Sequence, residues 1–293
     1  MNDQRDQLVR RLRDDHQSGA TQLALNTLFG LREFLEQQAD VAADEILELA
    51  STLRVTRPSM VPLNNALLRW QQAVFPDGRS RPDNQRLLEV LEAIIGHLQD
   101  AAGRVARHAA DLIEPGAVIL THSNSSVVQK LFRELYNRKT SFSVIATLSG
   151  PGNEGARLAE ALDRLTIPVT LITDAQMGLF MARATVAVCG CDSWLADQHF
   201  VNKSGTYLMA LAARDQGKPC LVLADSFRNS DQTSRTVQLE EMSGKELNGP
   251  RGTFITTRNI YFETVPERLV SGRLTEHGLV RTGGPTAGMP AMD

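Results

Sequence analysis

The sequence predicts an α/β protein: a helical N-terminal domain over residues 1–113, then a Rossmann-like, mostly parallel α/β domain over residues 114–280. Three observations carry this. Up to residue 113 the apolar residues recur at helical spacing. After Glu114-Pro115-Gly116 the period changes, and short β-rich runs alternate with helical ones. Each of those runs is nearly continuous in apolar residues and ends in a polar cluster, as buried parallel strands do when their carboxyl ends line a ligand rim.

The elements follow in order. The opening stretch MNDQRDQLVRRLRDD is charged throughout and lacks the apolar core of a secretory signal. ATQLALNTLFGLREFLEQQ then places Leu23, Leu28, Leu31 and Leu35 on one helical face. DEILELASTL and NQRLLEVLEAIIGHLQDAAGRVARHAADLI repeat the pattern, and Pro58 and Pro62 interrupt it. FPDGRSRPDN, residues 75–84, reads as a loop in which Asp83 caps the next helix. The strands expected are AVILTHS, SFSVIATLS, PVTLITD, TVAVCGCD and PCLVLADS, with helices such as SSVVQKLFRELYNRK and SGTYLMALAARDQG between most of them. The last stretch, residues 281–293, is rich in Gly, Pro and Ala and reads as a loose tail.

Composition narrows the function classes. A net charge of −3 gives no general drive toward nucleic acid or an anionic membrane. No apolar run approaches the roughly 20 residues that span a bilayer. Three cysteines, Cys189, Cys191 and Cys220, fit reduced thiols in a cytoplasmic protein. Cys189 and Cys191 lie two apart on one strand without a second Cys/His pair, so they read as small buried residues and no metal is expected.

Four polar stretches are candidates for chemistry. Gly150, Gly152 and Gly155 have the spacing of a dinucleotide fingerprint, with Asp174 nineteen residues beyond Gly155. Pro151 removes an amide donor from that loop, and Glu154 puts a negative charge where pyrophosphate would sit. THSNSS, residues 121–126, leads a strand into a helix that Ser125 or Ser126 could cap. In CGCDSWLADQHFVNKSGTY, Asp192 ends a strand, and Asn202 and Lys203 precede a helix beginning near Ser204. A carboxylate, an amide, an ammonium and a helix amino end together suit a phosphorylated or polyhydroxylated ligand. Arg57, at the end of a helix, offers a phosphate clamp.

Taken together, SGA at residues 18–20, TRP at 56–58, ILTHSNSSVV, GPGNEGARLAEAL, IPVTLITDAQMGLFM, CGCDSWLADQHFVNKSGTYLMALAA, LVLADSFR and IYFETVPERLVSGRLTEHGLV resemble one superfamily. It comprises the alpha, beta and delta subunits of translation initiation factor 2B and the methylthioribose-1-phosphate and ribose-1,5-bisphosphate isomerases. The resemblance implies a ligand cleft between the domains, a homodimer, and no cofactor. It implies a proton-moving pair at Ser123 and Asp192, and ligand contacts from Gly19, Ala20, Arg57, Asn124, Gly155, Asn202 and Lys203. A translation-factor partner is implied by the resemblance alone.

The departures from the family decide the expected function. Ser123 stands where the isomerases carry a catalytic Cys, and a hydroxyl is a far poorer proton shuttle than a thiol of pKa about 8.5. Ser18 stands where the methylthioribose isomerases carry Arg. Leu148-Ser149-Gly150-Pro151 replaces Glu-x-Arg-Pro, so Gly150 marks a missing arginine and the dinucleotide spacing becomes accidental. The expectation is a protein that binds a phosphorylated sugar or nucleotide without the isomerase chemistry. The alternative is an aldose–ketose isomerase acting on a ribose-1-phosphate-type substrate, with His122 or Asp174 as the replacement acid or base.

Overall fold

The computed structural model describes residues 2–15, 18–37, 41–76 and 83–283. The expected loop falls outside these residues at 77–82, and the expected tail at 284–293. Two compact units emerge: residues 1–101 with 227–229, and residues 102–226 with 230–293.

The first unit is helical: α1 (Asn2–Asp14), α2 (Ala20–Gln37), α3 (Ala43–Thr56), α4 (Val61–Val74) and the first turns of α5 (Asn84–Ala110). Leu23, Leu28, Leu31 and Leu35 of α2 are buried in its core, as their spacing requires. Pro62 sits in the first turn of α4, where its missing N–H costs nothing. The Asp83 carboxylate accepts from the Arg86 amide at 2.7 Å, capping α5. Trp70 is fully buried, and its indole N–H donates to the Leu87 carbonyl. Phe227 packs into this core under the Arg69 guanidinium, and Asn65 donates to the Phe227 and Asn229 carbonyls.

The second unit is a seven-stranded sheet flanked by helices. In chain order it contains β1 (Ala117–Thr121), α6 (Ser126–Asn137), β2 (Phe142–Thr147), α7 (Glu154–Asp163), β3 (Val169–Ile172), α8 (Met177–Met181) and β4 (Val186–Cys189). There follow β5 (Ser193–Trp194), β6 (His199–Lys203), α9 (Thr206–Asp215), β7 (Cys220–Leu223), β8 (Phe262–Pro266), β9 (Gly272–Thr275) and β10 (Gly278–Arg281). The sheet order is β10-β9-β7-β4-β1-β2-β3, parallel except for the antiparallel β9–β10 pair. Alternation along the strands buries both faces. Ile119, Val144, Val188 and Leu221 pack with α6, α7 and the end of α5, while Leu120, Ile145, Ala187 and Val222 pack with α8 and α9.

The structure departs from the sequence reading in three places. β3 is an edge strand with Leu171 exposed, not a fully buried one. Asn202 and Lys203 do precede a helix, α9, but they also end an unexpected strand, β6, in a second antiparallel sheet of order β5-β6-β8. That sheet, with β9 and β10, has no counterpart among the expected strands. Its members are short and mixed in polarity, so no continuous apolar run announces them.

Candidate functional site

The strand order reverses beside β1: β2 lies on one side of it and β4 on the other. Ligands of open α/β sheets bind outside the carboxyl ends of the strands at such a switch point. Ser123 and Asn124 leave β1 there, and Asp192 follows β4. The two exits touch. A Cβ on Gly190 would lie 2.2 Å from the Ser125 hydroxyl, so only glycine fits there. Ser125 occupies the N-cap position of α6, but its side chain makes no capping bond, contrary to the sequence expectation.

Ser123 is held in the left-handed region with φ 66°, uncommon for a residue with a side chain. A directed hydrogen-bond chain fixes it. The Ser204 carbonyl can only accept, so His122 Nε2 carries the proton and donates to it at 2.7 Å. Nδ1 of the neutral ring then accepts from the Thr147 hydroxyl at 2.7 Å. That hydroxyl accepts from Ser149 Oγ at 3.0 Å, and Ser149 Oγ accepts from the Ser123 amide at 2.7 Å. His122 is 1% exposed. Burial holds its pKa below the ordinary value, and the Lys203 charge adds to this. The bond to Ser204 and the Asp174 and Glu263 carboxylates oppose it without reversing it. Gly205, at φ 110°, leaves the space: a Cβ there would lie 2.7 Å from His122 Nε2.

Three internal carboxylates occupy three sets of anion-binding groups on this rim. Asp174 accepts from the Ser149 amide at 2.7 Å and the Gly150 amide at 2.8 Å, filling the glycine loop. Glu263 accepts from the Gly205 and Tyr207 amides at 2.7 and 2.8 Å, filling the amino end of α9. Glu154 Oε1 accepts from Lys203 Nζ at 2.9 Å. An anion arriving at any of the three must displace a carboxylate.

The expected site residues divide between the units. Ser123, Asn124, Gly155, Asp192, Asn202 and Lys203 belong to the α/β unit. Gly19, Ala20 and Arg57 belong to the helical unit, where Gly19 precedes α2, Ala20 begins it and Arg57 follows α3 and donates to the Asp15 carbonyl at 2.8 Å. Asn124 accepts from Gln129 at 2.6 Å. Asn202 is buried and donates to the Thr206 hydroxyl, which donates on to the Lys203 carbonyl. Gly155 is a packing glycine, since a Cβ there would fall 1.7 Å from the Thr147 carbonyl oxygen. Thr147 and Glu263 were not singled out from the sequence, because one hydroxyl or carboxylate on a strand carries no spacing signal.

The Cys189 and Cys220 thiols are buried, which raises the first well above its usual range and the second to about 12. Neither is a nucleophile near neutrality. Among the described residues no helix is long and apolar enough to cross a membrane.

Residues 16–282 match the model of the Initiation factor 2 subunit family. The chain belongs to that family. It is 34% identical over 279 residues to a Pyrococcus abyssi protein named eIF-2B subunit 2-like, covering 94% of this chain and 95% of that one. It is 30% identical to a methylthioribose-1-phosphate isomerase of Geobacter metallireducens, covering 92% and 83%. The crystal structure of the Pyrococcus horikoshii translation initiation factor eIF-2B superposes with a TM-score of 0.79 at 31% identity, covering 94% and 96%. This initiation factor 2 family chain therefore resembles both translation-factor subunits and isomerases, and the rim chemistry must decide between them.

Proposed function

We propose that this family member binds a phosphorylated sugar or nucleotide at the β1–β4 crevice and does not isomerise it. One observation carries the reading: His122 and Asp174, the two candidates for replacing the missing thiol, are both committed to structure. Ser123 offers a hydroxyl, which does not ionise near neutrality. His122 spends both ring nitrogens on Thr147 and Ser204. Asp174 spends both carboxylate oxygens on backbone amides. Aldose–ketose conversion moves a proton between adjacent carbons and needs a base free to take it.

Binding needs less. Asp192 and Ser123 supply hydrogen bonds to sugar hydroxyls, and Lys203 supplies the charge for a phosphate. The His122–Ser204 bond places Ser123 and Lys203 each one residue from a shared contact. Calorimetric titration with ribose-1,5-bisphosphate and methylthioribose-1-phosphate, followed by product analysis, tests this. The expected result is saturable binding, weakened by Lys203→Ala, with no ketose formed. Turnover of either compound that disappears in Asp192→Asn would overturn it.

A further inference from the structure

Lys203 is 4% exposed, and its ammonium has two partners. Glu154 Oε1 lies at 2.9 Å, and the centroid of the Tyr261 ring lies at 3.6 Å. The Tyr261 hydroxyl donates to Glu246 Oε2 at 2.6 Å, and the bond to this carboxylate is the largest cause raising its pKa to about 12. Asn259, 3% exposed, donates to the same oxygen and to the Ser243 carbonyl, both at 3.0 Å. These bonds close the stem of an arm, residues 240–261, that contains neither an α-helix nor a named strand. Its tip holds Phe254, 99% exposed, beside Ile255.

We propose that Glu154 is a built-in competitor that occupies Lys203 when no phosphate is bound, and that exchanging it for phosphate loosens the 240–261 arm through Tyr261. This rests on the phosphate-binding reading above. A buried ammonium needs a counter-anion, and Glu154 provides one from within the chain. The pair is incomplete: Glu154 Oε2 is buried without a hydrogen-bond partner, and Lys203 reaches only Oε1. A phosphate brings more acceptor oxygens and more charge to the same cation. Glu154 is also the first residue of α7, so once released it keeps a favourable place at the helix amino end. An ammonium drawn toward a phosphate leaves the Tyr261 ring, and the ring loses its cation. The arm buries few apolar side chains, so its stem is held by polar bonds: these links, the Glu241–Ile260 backbone bridge and the Arg258–Glu241 ion pair.

Inorganic phosphate is titrated into wild type and Glu154→Gln by calorimetry, and amide exchange of residues 240–261 is followed at saturation. Thermal unfolding first establishes that the isosteric variant is folded. Removing a competing carboxylate should tighten phosphate binding about tenfold, the scale of one charge-assisted bond. Phosphate should speed exchange in the arm of the wild type, and Tyr261→Phe should abolish that response. Equal or weaker binding in Glu154→Gln, or unchanged exchange in the saturated wild-type arm, overturns the proposal while leaving phosphate binding intact. Absence of phosphate binding in both proteins removes the competitor and the binding reading together.

Discussion

The β1–α6 and β2–α7 turns begin alike and finish differently. Each leaves its strand through a serine in the left-handed region, Ser123 at φ 66° and Ser149 at φ 60°. The β2–α7 turn then fills itself with carboxylates: Asp174 takes two of its amides, and Glu154 takes Lys203. The β1–α6 turn carries hydroxyls and amides instead, and no side chain caps α6. Equivalent positions in one fold can therefore hold a finished structural joint or a crevice with donors to offer. Local sequence does not say which, because the deciding carboxylate Asp174 comes from after the next strand.

The comparison can be broken at its most crowded point. Gly155→Ala drives a methyl group into the Thr147 carbonyl, a backbone group that cannot swing aside. It should cost about 3 kcal/mol or more in urea unfolding, at the upper end of overpacking changes. Lys203→Met comes next. It leaves the partly buried Glu154 without its cation and should cost roughly 2 kcal/mol, and adding Glu154→Leu should restore most of the loss, since an apolar pair replaces an ion pair at little cost. If the double variant is no better than the single, the ion pair is not what holds the end of β6 to the β2–α7 turn.

Smaller effects sharpen the contrast. Asp174→Asn keeps the shape but turns one of the two accepting oxygens into a donor facing a backbone amide, for a loss of about 2 kcal/mol. The same conservative change at the open turn, Asn124→Ser, should cost under about 0.5 kcal/mol. Equal losses at the two sites would erase the difference between the turns. The pH dependence is subtler. The folded pKa of His122 lies below its ordinary 6.5, so the folded state binds this proton less readily than the unfolded chain. Its contribution is complete above pH 6.5 and is lost as the pH falls from there through the folded value. His122→Gln should flatten that part of the stability curve, read as the midpoint of chemical unfolding between pH 5 and 7.

Much of the fold was legible because its signals are local. The α2 leucines and the five apolar strand runs each sit within one window of sequence and follow one period. The β5-β6-β8 sheet was not legible. Its β6 and β8 pair across some sixty residues, as Asn202 does with Glu263, and each of its strands is too short and too polar to signal alone. The site was half legible. Ser123 and Asp192 stood out as polar strand ends, and Asn202 and Lys203 as polar residues ahead of a helix, but nothing in the sequence paired Lys203 with Glu154, forty-nine residues away.

By itself, the sequence determined the helical and α/β halves and the polar strand ends, and its resemblance set the expectation of a lost thiol and arginine. These are properties of residue type and period. Only the tertiary structure decided which rim groups remain available. A carboxylate near an amide or an ammonium binds it at the geometry of a good hydrogen bond, and whether it arrives there depends on how distant segments meet. Folding brought Asp174, Glu154 and Glu263 onto the donors that sequence reading had reserved for a ligand.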